Sequence, residues 1–196
     1  GFAERIDDEV YNCALFVDNQ GKLRGKYHKM LFAEGYHSSW WFNRLGKENR
    51  AFETPLGRCG FMICADRWNP TLASVPVLDG ASFLLIPTYG TRTEHNDRAL
   101  LARANENGVP IVQANGAGAT VIISRGKIVK QSYFPQNKDP GTVTIGTIDI
   151  PSERVRDIPL RDQQEKTFLE WREKEMRRRF EANRKNYVKR WGGEVG

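Results

Sequence analysis

One short run, Ala81 to Pro87 (ASFLLIP), restricts the fold more than any other stretch of the chain. It is apolar apart from Ser82, and it is shorter than the roughly 10–12 residues of a buried helix. It therefore reads as a strand covered on both faces. Such a strand needs structure above and below it, which a layered α/β or α+β domain supplies. A chain of 196 residues is long enough to build one.

The flanking sequence alternates between strand and helix signals. Val10 to Val17 is rich in strand formers and leads through Asn-Gln-Gly to a second strand near Leu23 to Tyr27, which predicts a hairpin. A long polar and aromatic loop runs from His28 to about Arg50. Arg58 to Ile63 is a short apolar run that ends at Cys64. Pro70 then suits the first position of a helix carrying Leu72, Val75 and Leu78 at helical spacing. Glu94 to Asn107 predicts a helix stopped by Gly108. Pro110–Ala114, Ala119–Ser124, Lys127–Gln131 and Thr142–Ile150 predict further strands. Gln163 to Arg190 predicts a long final helix, with Leu169, Met176, Phe180, Tyr187 and Trp191 forming one apolar stripe.

Composition excludes several functional classes. At 39% hydrophobic and 28% charged the chain has an ordinary globular balance. It has no apolar run of about 18 residues, so no membrane partner is expected. Gly1 to Val10 shows no signal-peptide pattern. Three cysteines, with no C-x-x-C pair, argue against a disulfide framework and against a zinc site. The expectation is a cytoplasmic protein with no metal and no cofactor. The net charge of +6 is concentrated at the end, where residues 161–191 hold 11 Lys/Arg against 6 Asp/Glu. Those charges are interleaved and share a helix with the apolar stripe, so packing on a second subunit is favoured over nucleic-acid binding. The chain divides into a body, 1–160, and a basic helical extension, 161–196.

A cysteine is ordinarily a small buried hydrophobe, and Cys13 and Cys59, inside apolar strand patterns, read that way. Cys64 differs because it sits where a strand ends and a turn into a helix begins. Backbone N–H groups exposed there favour a thiolate and can also stabilise an oxyanion.

Its surroundings carry a resemblance. Gly57-Arg58-Cys59-Gly60-Phe61-Met62-Ile63-Cys64-Ala65-Asp66-Arg67-Trp68-Asn69-Pro70 resembles the nucleophile strand of the nitrilase, or carbon–nitrogen hydrolase, superfamily, written G-x-x-I-C-Y-D with a following Arg-aromatic-Pro segment. Tyr27-His28-Lys29-Met30-Leu31-Phe32-Ala33-Glu34 is similar to that family's Y-R-K-x-H-L-F-x-x-E block, and Arg103-Ala104-Asn105-Glu106-Asn107 to its R-A-x-E-N helix. Asn12 with its apolar strand, then Gly21 to Tyr27, resembles the lead-in to the lysine. The blocks keep the family's order over roughly residues 1 to 150. The chain departs from the pattern at His28, where Arg is usual, and at Ala65, where Tyr is common. The K-x-H histidine is replaced by Leu31 or lost in a one-residue contraction, and Cys64 to Pro70 is one residue short. These changes bear on the substrate more than on the reaction.

The resemblance implies a nitrilase-like α-β-β-α sandwich lacking its first strand and outer helices, with a long C-terminal helix. It implies that Cys64 attacks an amide, carbamoyl or nitrile carbon and passes through a thioester, and that Lys29 holds the negative oxygen with the Ala65 N–H. Glu34 matches a second family glutamate that orients the lysine and water; its alternative is an ordinary loop carboxylate. Arg67, Trp68, Tyr89 and His95 are the remaining substrate-site candidates, although a lone His near a helix start, like His95, is usually a cap-region surface residue. The loop from Gly35 to Arg50, with Trp40, Trp41 and Phe42, is expected to shape the pocket rim. The family's acid–base glutamate, from an F-P-E-like motif, has no counterpart among the 28 residues before Lys29. The expectation is therefore a piece of a longer chain, with an uncovered apolar sheet face. Two functions follow: a carbon–nitrogen hydrolase acting as a homodimer or larger homo-oligomer on a small molecule, or an inactive structural relative.

Overall fold

A computed structural model describes residues 1–33, 35, 42–90, 94–116, 119–133, 143–152 and 154–191. The chain opens with a three-stranded antiparallel meander: β1 (Phe2–Ile6), β2 (Glu9–Val17) and β3 (Leu23–His28). β4 (Phe52–Thr54) and β5 (Gly57–Phe61) begin a six-stranded sheet, completed by β6 (Phe83–Thr88), β7 (Ile111–Asn115), β8 (Ala119–Ser124) and β9 (Lys127–Tyr133) in sequence order. The β5–β6 and β6–β7 pairs are parallel and the outer pairs antiparallel. Each parallel connection carries a helix, α1 (Pro70–Leu78) and α2 (Glu94–Asn107). α3 (Ile158–Trp191) closes the described chain.

The layers follow from strand alternation. On one face of the six-stranded sheet Met62, Leu84, Ile86, Ile111 and Ile123 pack with Ala73 and Val77 of α1 and Leu100 and Ala104 of α2. On the other face Phe61, Ile63 and Leu85 meet Ala14 and Tyr27 of the three-stranded sheet. β6 is thus covered on both sides, as its apolar run requires. Gly25 allows a close approach of the two sheets, because a Cβ there would lie 2.3 Å from the Phe52 ring. The outer face of the three-stranded sheet is open in part: Phe2, Ile6, Leu15, Val17 and Leu23 are between 37% and 54% exposed.

Several expectations change. β1 was hidden in the acidic start of the chain, where Asp7 at φ 53° makes the tight turn into β2. β4 is only three residues long. Thr142 falls outside the described residues, and 143–150 form no strand. That segment lies over β8 and β9, with the Asp149 N–H donating to Ser124 Oγ (2.9 Å) and Val143 and Ile145 about four-fifths exposed (82% and 79%). Its alternating pattern therefore serves one-sided packing without a ladder.

α3 starts five residues earlier than predicted, after Asp157 accepts from the Leu160 N–H (3.0 Å). Its buried face runs Glu165, Phe168, Arg172, Met176 and Phe180, and it packs on this chain's own core instead of requiring a second subunit. No helix among the described residues is long and apolar enough to cross a membrane.

Candidate active site

Cys64 opens a single 3-10 turn, Cys64–Trp68, between β5 and α1. It adopts φ 49°, the left-handed region that a non-glycine residue rarely occupies. The neighbouring residues hold it there. Arg67 Nε donates to the Cys64 carbonyl (2.7 Å), while its Nη1 and Nη2 reach Gln113 Oε1 of β7 (2.5 Å) and Thr88 Oγ1 of β6 (3.2 Å). Arg103 Nη1 in turn donates to the Arg67 carbonyl (3.4 Å). Cys64 is half-buried, whereas Cys13 and Cys59 are fully buried. Burial pushes the Cys13 thiol up to about 11 and the Cys59 thiol higher still.

Asp66 joins the cysteine turn to the lysine block. Its Oδ2 accepts from the Ile63 N–H (2.8 Å) and the Tyr27 hydroxyl (2.9 Å), and its Oδ1 from the Leu31 N–H (3.0 Å). Tyr27 and Leu31, which flank Lys29, and Ile63, which precedes Cys64, are thereby tied through one buried carboxylate. Burial raises Asp66 to about 6, opposed first by the positive charge of Lys29 and then by these hydrogen bonds. Lys29 is itself buried, and its backbone is fixed by N–H donation to Asn12 (2.8 Å) and by acceptance from Gly46 (2.8 Å).

α3 holds the same block from behind. Arg172 is buried; its Nη1 donates to the carbonyls of Gly46 (2.6 Å) and Met30 (3.4 Å), and its guanidinium lies 5.8 Å from the Phe168 ring centroid. Arg179 donates to the carbonyls of Phe32 (3.3 Å) and Ala33 (3.4 Å). Gly35, at φ 105°, lies so close to α3 that a Cβ would fall 2.3 Å from the Phe180 nitrogen. The arginine contacts of α3 were not visible to a reading that followed apolar periodicity, which registered Met176 and Phe180 but no charged residue on the buried face.

The other candidates are placed as follows. Ala65 is buried directly after Cys64. Arg67, a substrate-site candidate, is buried, and its guanidinium reaches the Cys64 carbonyl, Gln113 and Thr88. Trp68 is half-buried and stacks on exposed His95, centroids 4.5 Å apart. Tyr89 is 78% exposed, and its carbonyl lies 4.0 Å from Cys64 Sγ. Glu34, Trp40 and Trp41 lie outside the described residues. Phe42 packs near Phe32, centroids 6.5 Å apart. Two clefts among the described residues, one by Asn105 and Asp149 and one by Ser74 and Gln164, lie away from Cys64.

A strand ending in a strained cysteine turn, wired to a buried lysine beneath a two-sheet core, defines a class of protein. Residues 1–159 match the Carbon-nitrogen hydrolase family, and the chain belongs to it. It is 30% identical over 162 residues to a Schizosaccharomyces pombe protein described as a probable nitrilase, covering 79% of this chain and 56% of that one. It is 29% identical over 126 residues to a citrullinase of Francisella tularensis, covering 58% and 44%. The fold is similar to that of a carbon–nitrogen hydrolase from Helicobacter pylori, with TM-score 0.64, 18% identity, and 86% and 62% coverage. It also resembles Saccharomyces cerevisiae Nit3, of the nitrilase superfamily, with TM-score 0.58, 24% identity, and 66% and 51% coverage. The chain spans about half the length of the curated relatives it matches.

Proposed function

We propose that this chain carries the nucleophile and oxyanion side of a carbon–nitrogen hydrolase. Cys64 Sγ attacks the carbon of an amide, carbamoyl or nitrile substrate, and Lys29 with the Ala65 N–H faces the developing negative oxygen or nitrogen. With an amide, the carbon–nitrogen bond breaks, ammonia or an amine leaves with a proton, and a thioester remains for water to cleave. The group that moves those protons is not assigned to a residue of this chain. Glu34 orients Lys29 and water, while Trp68, Tyr89 and His95 form the rim near the thiol. Arg67 acts from beneath, by holding the Cys64 carbonyl.

The single observation that carries this reading is the Asp66 junction, which draws the lysine block and the cysteine turn onto one buried carboxylate. Relatives named as a nitrilase and as a citrullinase leave nitriles and carbamoyl compounds both open as substrates. We assign residues 1–160 to the hydrolase domain and 161–196 to an extension whose exposed faces, with the partly open outer sheet face, serve homo-oligomer contacts in the cytoplasm.

The test is ammonia release from small amides, carbamoyl amines and nitriles by the full-length protein. Cys64→Ala and Lys29→Ala are each expected to abolish it. Full activity surviving in either variant would overturn the assignment. Absence of turnover with every substrate, together with a stable oligomer, would favour an inactive structural relative.

A further inference from the structure

The outer face of the three-stranded sheet holds a second cluster of reactive side chains. Antiparallel pairing sets Cys13 opposite both Phe2 and His28, and Glu4 opposite Tyr11. Glu4 of β1, Cys13 of β2 and His28 of β3 therefore lie side by side on one face. Their ligand-type atoms all lie within 4.8 Å of one another. Cys13 forms a buried floor, while the His28 and Glu4 side chains are each 21% exposed and open the cluster to solvent. The Tyr11 ring stacks on His28 with centroids 4.2 Å apart, which fixes the imidazole plane. The Tyr11 hydroxyl is tied to Glu9 (2.6 Å). His28 Nε2 and Glu4 Oε2 share a short hydrogen bond, and Glu4 Oε1 accepts from Lys26 Nζ (2.5 Å).

We propose that Glu4, Cys13 and His28 bind a divalent metal ion of the zinc type, stapling β1, β2 and β3 together. One sulfur, one imidazole nitrogen and one carboxylate oxygen form a donor set that zinc accepts at about 2.0–2.3 Å, so atoms bound to one tetrahedral ion stand about 3–4 Å apart. The cluster is within rotamer-scale movement of that arrangement. The ion takes the position of the proton between His28 and Glu4. Binding sends the Cys13 thiol proton to solvent and forms a metal–sulfur bond; the imidazole binds through Nε2 with its proton on Nδ1, and Glu4 binds through a carboxylate oxygen. No redox change is involved. Three protein ligands leave one position for water or a small ligand. A search for C-x-x-C pairs misses such a site, because its ligands come from three strands and meet only through their register.

Lys26 gives the inference a test that separates it from simple packing. Its ammonium competes for Glu4 and repels a cation, so Lys26→Met is expected to tighten metal binding even as it removes an ion pair. The experiment is a cobalt(II) titration of the chain, followed by zinc competition, reading the thiolate-to-cobalt charge-transfer absorption. The expected result is one equivalent bound. The band persists in Cys64→Ala, which lacks the proposed nucleophile, so failure of the hydrolase reading leaves this result intact. It disappears in Cys13→Ser, and His28→Gln weakens binding by at least about tenfold, the low end of what even an outer-shell change costs a metal site. Circular dichroism establishes that each variant is folded, and His28→Gln remains informative if Cys13→Ser is not. A folded wild-type chain with no charge-transfer band at one equivalent would overturn the proposal. So would a band that survives Cys13→Ser, or unchanged affinity in both His28→Gln and Lys26→Met.

Discussion

The two sheets obtain their order in different ways. The six-stranded sheet is buried on both faces, with Leu84, Ile86, Ile111 and Ile123 packed beneath α1 and α2. The three-stranded sheet packs on the core through one face, and its outer face is laid out by polar pairs such as the cross-strand Lys26–Glu4 and the link from Glu9 to Arg44 of the following loop (both 2.5 Å). The first sheet supplies a rigid platform for the Cys64 turn, since interdigitated apolar packing leaves little freedom. The second brings Lys29 to that platform but cannot fix it unaided. Asp66 and the arginines of α3 perform that task, and the polar joint between the sheets is where stability and reactivity meet.

The largest expected effect lies in the covered sheet. Leu84→Ala removes a fully buried side chain from a two-sided core and is expected to cost about 2–5 kcal/mol, measured by denaturant unfolding. A loss below 1 kcal/mol, roughly a surface-substitution effect, would contradict the assignment of β6 as the central strand. Next comes the joint. Asp66→Asn keeps the shape but offers one acceptor oxygen to donors that now share two, so a loss of about 1–3 kcal/mol is expected.

The same variant carries a pH signature. Because the folded value of Asp66 is raised from the ordinary carboxylate range to about 6, the folded state holds that proton more tightly than the unfolded state. Its contribution to stability is fully present below about pH 4 and is lost as pH rises toward 6. Stability measured across that window should lose this component in Asp66→Asn; an identical slope in both proteins would place the carboxylate outside the buried joint. The smallest effect belongs to the open sheet. Breaking the partly exposed Arg44–Glu9 pair with Arg44→Gln should change stability by no more than about 1 kcal/mol. A larger loss would mean that this sheet is held as firmly as its neighbour.

The sequence made the Cys64 turn and the hairpin before Lys29 legible because their signals are local: Cys64 follows a strand, and Lys29 follows the end of β3. The covered strand at β6 was legible for the same reason, since burial on two faces leaves an unbroken apolar run. Long-range arrangements were not. Arg172 and Glu165 lie on the buried face of α3, where a hydrophobic stripe cannot register them. The partners of Arg67, Gln113 and Thr88, come from β7 and β6, and only the fold reveals them. β1 was missed because the acidic turn at Asp7 and Asp8 obscured its alternation, and 143–150 alternates without pairing. The Glu4–Cys13–His28 cluster exists only through strand register.

The most direct test of the Cys64–Lys29 pair is site-resolved alkylation of the three cysteines at neutral pH, followed by peptide mass mapping, in the wild type and in Lys29→Met. The expected result is that Cys64 reacts first, well ahead of Cys13 and Cys59, and that Lys29→Met slows Cys64 while leaving the other two unchanged. A Cys64 that alkylates no faster than Cys13, or whose rate is indifferent to Lys29, would contradict the account.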